Sequence, residues 1–427
     1  MTPTSEFRRD RAWRIVLAAA VGCAFGLTAL PYYTLGMVAK PIGIEFDWPR
    51  AVVQGGITFA SFGVLCSAGI AGWMIDRFGA RRVALASQAG LALGFLGLSL
   101  QNGSTALWYA NWFLLAVFGI GTTPLTWSRG IASWFDRERG LALGIGLTGT
   151  GVTAFIAPPL MTAIVANAGW RAGYAWIAAG IVLIAMPTVW LLFHERGGDE
   201  ANGAAEPALA DGESGNRAGA PAAAMTSAPA AMSTGVTLGE ALRGYRFWLI
   251  VASFLLVCCA VTGVISNLVP MMTDGGLSAT AAAGFASLLG LFVIVGRLTA
   301  GWLLDRIWAP VVALVVLLPT ALACALLYLH LTPALAVALI GLAGGAEFDL
   351  IAFLCLRYFG TRHYGQIYAW QWASFTVASG LGPMAFGAIF DASGSYSAAL
   401  VSAGIAMLAG PALLLGLGPY PTRLAGH

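Results

Sequence analysis

Residues 72–83 read GWMIDRFGARRV, and residues 301–312 read GWLLDRIWAPVV, 229 positions further on. Each copy sets Gly-Trp, two apolar residues and Asp-Arg at the end of a long apolar run. A second pair follows in the same relative place. ASWFDRERGLALG (132–144) returns as LRYFGTRHYGQIY (356–368), at an offset of 224. Two matches at nearly one offset mark an internal duplication, and small loop changes account for the difference between the offsets.

Composition says what kind of unit was duplicated. Of 427 residues, 59% are hydrophobic and 10% charged. A soluble domain is nearer a quarter charged because it needs a solvated surface. This chain cannot cover itself with polar groups, so its outer solvent is lipid. A net charge of +3 is too small to argue for nucleic acid, and no basic run is interleaved with aromatics. The six cysteines (23, 66, 258, 259, 324 and 355) all fall in apolar runs without metal-ligand spacing and read as small core residues. Four scattered histidines (194, 330, 363 and 427) form no metal or nucleophile cluster, and no GxxxxGK[ST] loop is present. The expectation is therefore no enzyme, no metal and no cofactor.

The apolar runs are 14–38, 50–75, 82–100, 106–133, 139–164, 171–193, 246–273, 279–304, 310–329, 333–357, 364–390 and 396–417. Each reaches the roughly 20 residues a helix needs to cross the hydrocarbon. The predicted fold is an all-α membrane protein of twelve transmembrane helices in two pseudo-symmetric six-helix bundles. Residues 1–193 form the first bundle, and 244–427 the second. Between them, 194–243 is rich in Ala, Gly, Pro, Ser and acids without an amphipathic period, and reads as a flexible linker. Arginines 8, 9, 11 and 14 precede the first span. Further basic residues follow the second, fourth, eighth and tenth, all on one side if the spans alternate. The positive-inside rule then puts both termini in the cytoplasm.

The loop GWMIDRFGARRV resembles the cytoplasmic signature of the major facilitator superfamily, and the resemblance covers nearly the whole chain outside the linker. In the second copy Trp308 replaces the glycine, and Pro310 and Val311 replace the arginines. Narrower features are similar to the bacterial monocarboxylate and oxalate/formate transporter branch: FDWPRA (46–51), RGLALGIGLTGTGVTAFIAPPL (139–160), GRLTAGWLLDR (296–306), and GGAEFDL followed by RYFG in the tenth span. One departure is Val293, where animal monocarboxylate transporters carry an acid one turn before the arginine of the eighth span. The resemblance implies a secondary transporter working by alternating access in a bacterial inner membrane, as a monomer. It also implies a conformational latch: Gly72, Asp76, Arg77, Gly79, Arg81 and Arg82 would hold the cytoplasmic side closed, Asp76 pairing with Arg137 or Arg139. Gly72 and Gly79 are read as allowing close backbone approach.

Arg297 is the strongest substrate candidate. It lies eight residues before Asp305, about 12 Å into the membrane at ~1.5 Å per residue, too deep for comfortable snorkelling. Its counterpart in the first half, at the 229 offset, is Ala68, so the duplicated fold does not itself demand an arginine there. A guanidinium is permanently charged and matches carboxylate geometry with two parallel donors. The competing reading is a structural ion pair with Asp349 or Glu347. Those two acids sit two residues apart inside an apolar span, at a cost of several kcal/mol unless compensated. About 200° of helical rotation separates them, so they cannot share a face. Asp349, Phe353 and Arg357 fall on one stripe, which leaves Glu347 freer to face a central cavity. Buried carboxyls that exchange protons are what proton coupling needs.

Tyr32, Tyr33, Gln54, Thr123, Trp127, Asn267 and Gln371 complete the expected binding set. Spans three, six, nine and twelve, nearly free of charge, read as outer helices. Pro31, Pro124, Pro270 and Gly344-Gly345 are expected to interrupt spans one, four, seven and ten, as suits a moving midplane site. The partners expected are a small organic anion (mono- or dicarboxylate, aromatic ones included), a proton and the lipid bilayer. A carboxylate exchanger without proton coupling, and a drug or neutral-solute exporter of the same fold, remain the alternatives.

Overall fold

The structure, a computed structural model, describes residues 3–135, 139–194, 235–304, 306–360 and 363–421, which are helical almost throughout. Ten stretches are long and apolar enough to cross a bilayer. One of them, Ala142–Leu192, has 51 residues, about twice what a crossing needs. It reverses at Gly169, whose φ of 81° a side chain rarely adopts, and so holds both the fifth and the sixth spans. The first span is split into Pro3–Ala24 and Leu30–Phe46, too interrupted to count among the ten. With it, the described residues make twelve crossings.

The other spans, in order, are Arg50–Phe78, Ala80–Ser99, Thr105–Gly119 continued by Pro124–Ala132, Tyr245–Asp274, Ala279–Leu304, Ala309–Leu317 continued by Pro319–Tyr328, Pro333–Phe359, Tyr364–Ser393 and Ser397–Leu415. Buried apolar residues cluster within residues 12–193 or within 241–417. The region 194–243 lies mostly outside the described residues. Its last part, expected to be flexible, is folded: Leu238–Arg243 is a short helix opened by a capping box between Thr237 and Glu240. The Val236 amide also donates to the Phe359 carbonyl at 3.0 Å. Val236, Leu238 and Leu242 pack against the second core, which supplies the apolar burial that composition alone did not reveal.

Two of the four expected interruptions exist, and they meet. The first span breaks at 25–29 and the fourth at 120–123, before Pro31 and Pro124. Helix ends leave amides without partners, and here one break serves the other. The Leu27 amide donates to Thr122 Oγ1 at 3.0 Å, and a side chain on Gly26 would stand 2.8 Å from the Thr122 carbonyl. The other two sites do not break their helices. Pro270 sits within Tyr245–Asp274, near its end, and Gly344-Gly345 within Pro333–Phe359. Proline lacks an N–H, so the carbonyl four residues back is freed; the Ser266 carbonyl accepts instead from Gln54 Nε2 of the first half, at 3.3 Å. The glycine pair serves close packing. A Cβ on Gly345 would lie 2.1 Å from the Val293 carbonyl oxygen of the eighth span.

The halves join along spans two and eleven, five and eight, and one and seven. At the end away from the termini they are clasped by charge. Arg50 Nη2 meets Asp274 Oδ2 at 2.5 Å, and Lys40 Nζ meets Oδ1 at 3.3 Å. Asp391 accepts from the Arg50 and Ala51 amides at 2.9 and 2.8 Å, so a carboxylate of the second half caps the N-terminus of the second span in the first. Arg50 Nη1 also donates to the Tyr396 hydroxyl at 2.5 Å. At the other end the second span buries Ala71 and Ile75 but leaves its glycine face open: side chains at Gly69 or Gly72 would meet nothing within 4 Å.

Candidate functional site

A cavity of about 90 Å³ lies between the halves, lined from spans one, two, four, seven, ten and eleven. None of the four expected outer helices reaches it. The breaks in spans one and four bring Leu27–Tyr33 and Thr123 to its wall. From the second half come Glu347 and Phe348 of the tenth span and a face of the eleventh.

Glu347 is the acid on this wall, with 3% of its surface exposed. Its Oε2 accepts from the Cys258 thiol of the seventh span at 3.6 Å. Two residues on, Asp349 points away as the helical rotation requires, and its Oδ2 stands 3.8 Å from Arg297 Nε. Arg297 itself is absent from the lining. Its guanidinium stands 6.0 Å from the Phe348 ring, and that ring is part of the wall, so the cation lies one side chain behind it. Nη1 donates 2.8 Å to the Leu147 carbonyl of the first half, with Thr150 Oγ1 at 3.5 Å. Leu147 ends the helix Arg139–Leu147, and the next helix starts at Gly149. The amide of Gly151, which would normally bond to Leu147, turns to Thr148 instead, and the freed carbonyl accepts from the arginine and from the Thr150 hydroxyl at 3.2 Å. Val293 puts no acid one turn before Arg297 on the eighth span, and the carboxylate that stands beside Arg297 among the described residues is Asp349 of the facing tenth span.

Of the other expected contacts, Tyr32, Tyr33 and Thr123 line the cavity. Gln54 and Asn267 lie nearer the clasped end, in a polar seam between the halves. Gln54 Nε2 donates to Asn267 Oδ1 at 3.1 Å, and the Tyr396 hydroxyl reaches the same oxygen at 3.4 Å. Trp127 is fully buried against Phe193, its Nε1 donating to the Thr122 carbonyl at 2.9 Å. Gln371 is buried too, donating to the Phe247 carbonyl of the seventh span at 3.2 Å. These last two hold helices together.

The sequence profile of the Major Facilitator Superfamily matches residues 17–383. The chain belongs to that superfamily. An uncharacterized 38 kDa protein of Thermoproteus tenax is 27% identical over 406 residues, covering 93% of this chain and 94% of its own. Monocarboxylate transporter 12 of Mus musculus is 28% identical over 349 residues, covering 77% and 71%. Among solved structures, a D-xylose-proton symporter superposes with a TM-score of 0.68 at 12% identity, covering 97% of this chain and 99% of that one. That likeness shows a shared fold. Major facilitators move solutes and do not transform them, so this is a multi-pass membrane transporter and not an enzyme.

The facilitator signature loop is only partly in view. The side chains of Asp76 and Arg139, and the whole of Arg137, lie outside the described residues, so the expected pairing is not described. Arg77 stacks beside Trp73 and Phe78, with 5.8 Å to each ring centroid. Arg81 donates to the Trp190 carbonyl, and Arg82 is exposed. Gly79 is required by its φ of 83°, where the second span turns into the third. Gly72, expected at a close backbone approach, has no such neighbour here.

Residue-type reasoning missed part of this facilitator's wall. Phe348, Trp372 and Phe375 form an aromatic corner, with centroids 4.6 to 5.5 Å apart. Tyr364 and Tyr368 continue it toward the unclasped end. Their four-residue spacing is a helical stripe that was available in the sequence, whereas attention to polarity selected the neighbouring Gln371. Ser61, Ser379 and Cys258 carried no signal beyond being small.

Proposed function

We propose that this transporter moves a small organic anion, a short monocarboxylate, together with a proton, across a bacterial inner membrane by alternating access. It acts as a monomer with both termini in the cytoplasm. One observation carries the reading: Glu347 on the cavity wall, with Arg297 behind the Phe348 ring. A carboxylate entering a low-dielectric cavity needs a cation, and the nearest is Arg297. It bonds one carbonyl at 2.8 Å, but its contact with a carboxylate, Asp349 at 3.8 Å, is looser than the two short parallel bonds a carboxylate can make. Rotation of the Phe348 side chain would open the path. The same anion would be repelled by an ionised Glu347, so a proton on Glu347 accompanies it. The small volume of about 90 Å³ suits an acid of a few carbons. The names of relatives in the monocarboxylate transporter group support the same class.

A second reading, export of a neutral solute, is favoured by the lack of a cation among the described lining residues. Counterflow into proteoliposomes with labelled short acids separates the two. Wild-type protein is expected to exchange them, and Arg297→Lys to retain less than about a tenth of the rate, since an ammonium cannot reproduce the two-pronged geometry. Normal carboxylate exchange by Arg297→Ala would put the neutral-solute reading ahead.

A further inference from the structure

The second copy of the repeated loop has lost what the first uses to hold itself. At the 229 offset, Gly79 becomes Trp308 and Arg81 becomes Pro310. In the first half Arg81 ties the loop to the sixth span through the Trp190 carbonyl. In the second half tyrosines take over that work. The Ala309 amide donates to the Tyr420 hydroxyl at 2.9 Å, and Trp308 Nε1 donates to that of Tyr358 at 3.2 Å. The arginines that remain at this end, Arg306 and Arg357, are both exposed, and neither lines the transport cavity.

Both arginines line a second cleft, of about 600 Å³, at the end of the second half opposite the clasp. Leu304, Trp308, Phe353 and Tyr420 lie on the same wall. The Arg357 guanidinium stands 4.3 Å from the Tyr420 ring, and Tyr420 in turn holds the loop that bears Arg306. Arg306 stands 4.2 Å from the Trp302 ring and donates from Nη1 to the Trp302 carbonyl at 3.0 Å. Ring contacts engage the guanidinium faces and leave most of the N–H edges free to donate. Among the described residues, which leave out Asp305, no carboxylate stands within 4 Å of either arginine, whereas Arg50, Arg171 and Arg297 each have one. Two cations on one cleft without a counter-ion call for an anion with several oxygens.

We propose that this cleft binds the phosphodiester headgroup of an anionic phospholipid, in the leaflet on the side of the chain termini. The proposal does not depend on the carboxylate reading above. Guanidinium edges match phosphate oxygens, and basic pockets at the ends of membrane helices hold such headgroups. A soluble phosphate ester offers the same chemistry, but the surroundings favour the lipid. Trp302 and Ile307, on either side of Arg306, are 57% and 42% exposed. In a chain whose outer solvent is lipid, such side chains meet the bilayer, and tryptophan is at home at headgroup level. The cleft therefore opens at the depth where lipid phosphates lie.

The test is native mass spectrometry of delipidated protein titrated with phosphatidylglycerol, phosphatidylcholine or glycerol phosphate. It reads only the intact folded chain, so yield does not enter. Wild type is expected to hold phosphatidylglycerol at least about fivefold more tightly than phosphatidylcholine, whose phosphate is balanced by its own choline. Arg306→Gln and Arg357→Gln should each weaken phosphatidylglycerol at least about threefold. Arg243→Gln removes an exposed arginine at the same end but outside the cleft, and should leave binding unchanged. An equal loss in Arg243→Gln overturns the site, because the whole face would then attract the lipid. Equal binding of the two lipids overturns it, and so does unchanged binding in both cleft variants. Glycerol phosphate held as tightly as the lipid overturns the lipid assignment in favour of a soluble phosphate ester.

Discussion

Glu347 and Asp349 are adjacent in every sense except the one that matters, because the helix turns them to opposite sides. Glu347 meets the cavity and the Cys258 thiol; Asp349 meets Arg297 in the groove between two helices. Their substitutions are expected to differ in kind. Glu347→Gln keeps the size and the hydrogen-bonding oxygen but cannot lose a proton. It should abolish accumulation driven by a pH gradient while sparing exchange of labelled for unlabelled substrate, since exchange need not return an empty carrier. Accumulation at the wild-type level would leave a carboxylate exchanger without proton coupling as the better description. Asp349→Asn removes the only described carboxylate within 4 Å of a largely buried guanidinium, and leaving such a charge uncompensated costs several kcal/mol. Less folded protein is expected from it, measured as the monodisperse yield from solubilised membranes.

The tenth span shows how an element can be misread from its residues. Gly344-Gly345 looks like a helix breaker, because glycine is a poor helix former in water. Inside a bilayer an unpaired backbone group is costlier than a poor propensity, so the helix stays whole. The glycines then matter for the surface they leave bare. Gly345 lets the Val293 carbonyl and the Arg297 amide of the eighth span approach to 2.1 and 2.8 Å from where a Cβ would be, and that approach sets Arg297 beside Asp349. Gly344 faces side-chain methyls of Ile265, Val261 and Val293, at 3.4, 3.6 and 3.8 Å. Gly345→Ala must push two backbones apart and is expected to cost about 1–3 kcal/mol and to lower the thermal midpoint in detergent. Gly344→Ala should leave that midpoint within a degree or two. Equal behaviour of the two would remove the close-approach account of the pair.

At the scale of the whole molecule, the clasp of Arg50 and Lys40 with Asp274, and of Asp391 with the start of the second span, holds the halves together at one end. The other end leaves the glycine face at Gly69 and Gly72 open. Partly exposed ion pairs are individually weak, about 0–1 kcal/mol. This suits a contact that must open in each cycle. Asp274→Arg sets three cations together and should slow transport at least about tenfold. Adding Arg50→Asp should restore part of the rate, because the cross-half attraction returns with its sign reversed. A double variant no faster than the single one would mean that the pair does not act across the halves.

Membrane class, the twelve crossings, the duplication and the opposed faces of Glu347 and Asp349 were all legible along the chain. Each depends on a local quantity: apolar run length, a repeated string, or rotation per residue. The breaks at Pro31 and Pro124 were legible for the same reason. Only the tertiary structure decided that Arg297 stands behind Phe348 and bonds the Leu147 carbonyl. The same holds for the seam made by Gln54 and Asn267, for the close approach of Ser61 to Gly380, and for the seating of Asp391 on the second span. The hydrogen bonds among these contacts join residues 150 to 341 positions apart. They are set by how closely glycine-faced helices pack and at what register the two halves meet. No period in a single helix records that, because it is a property of two surfaces and not of one.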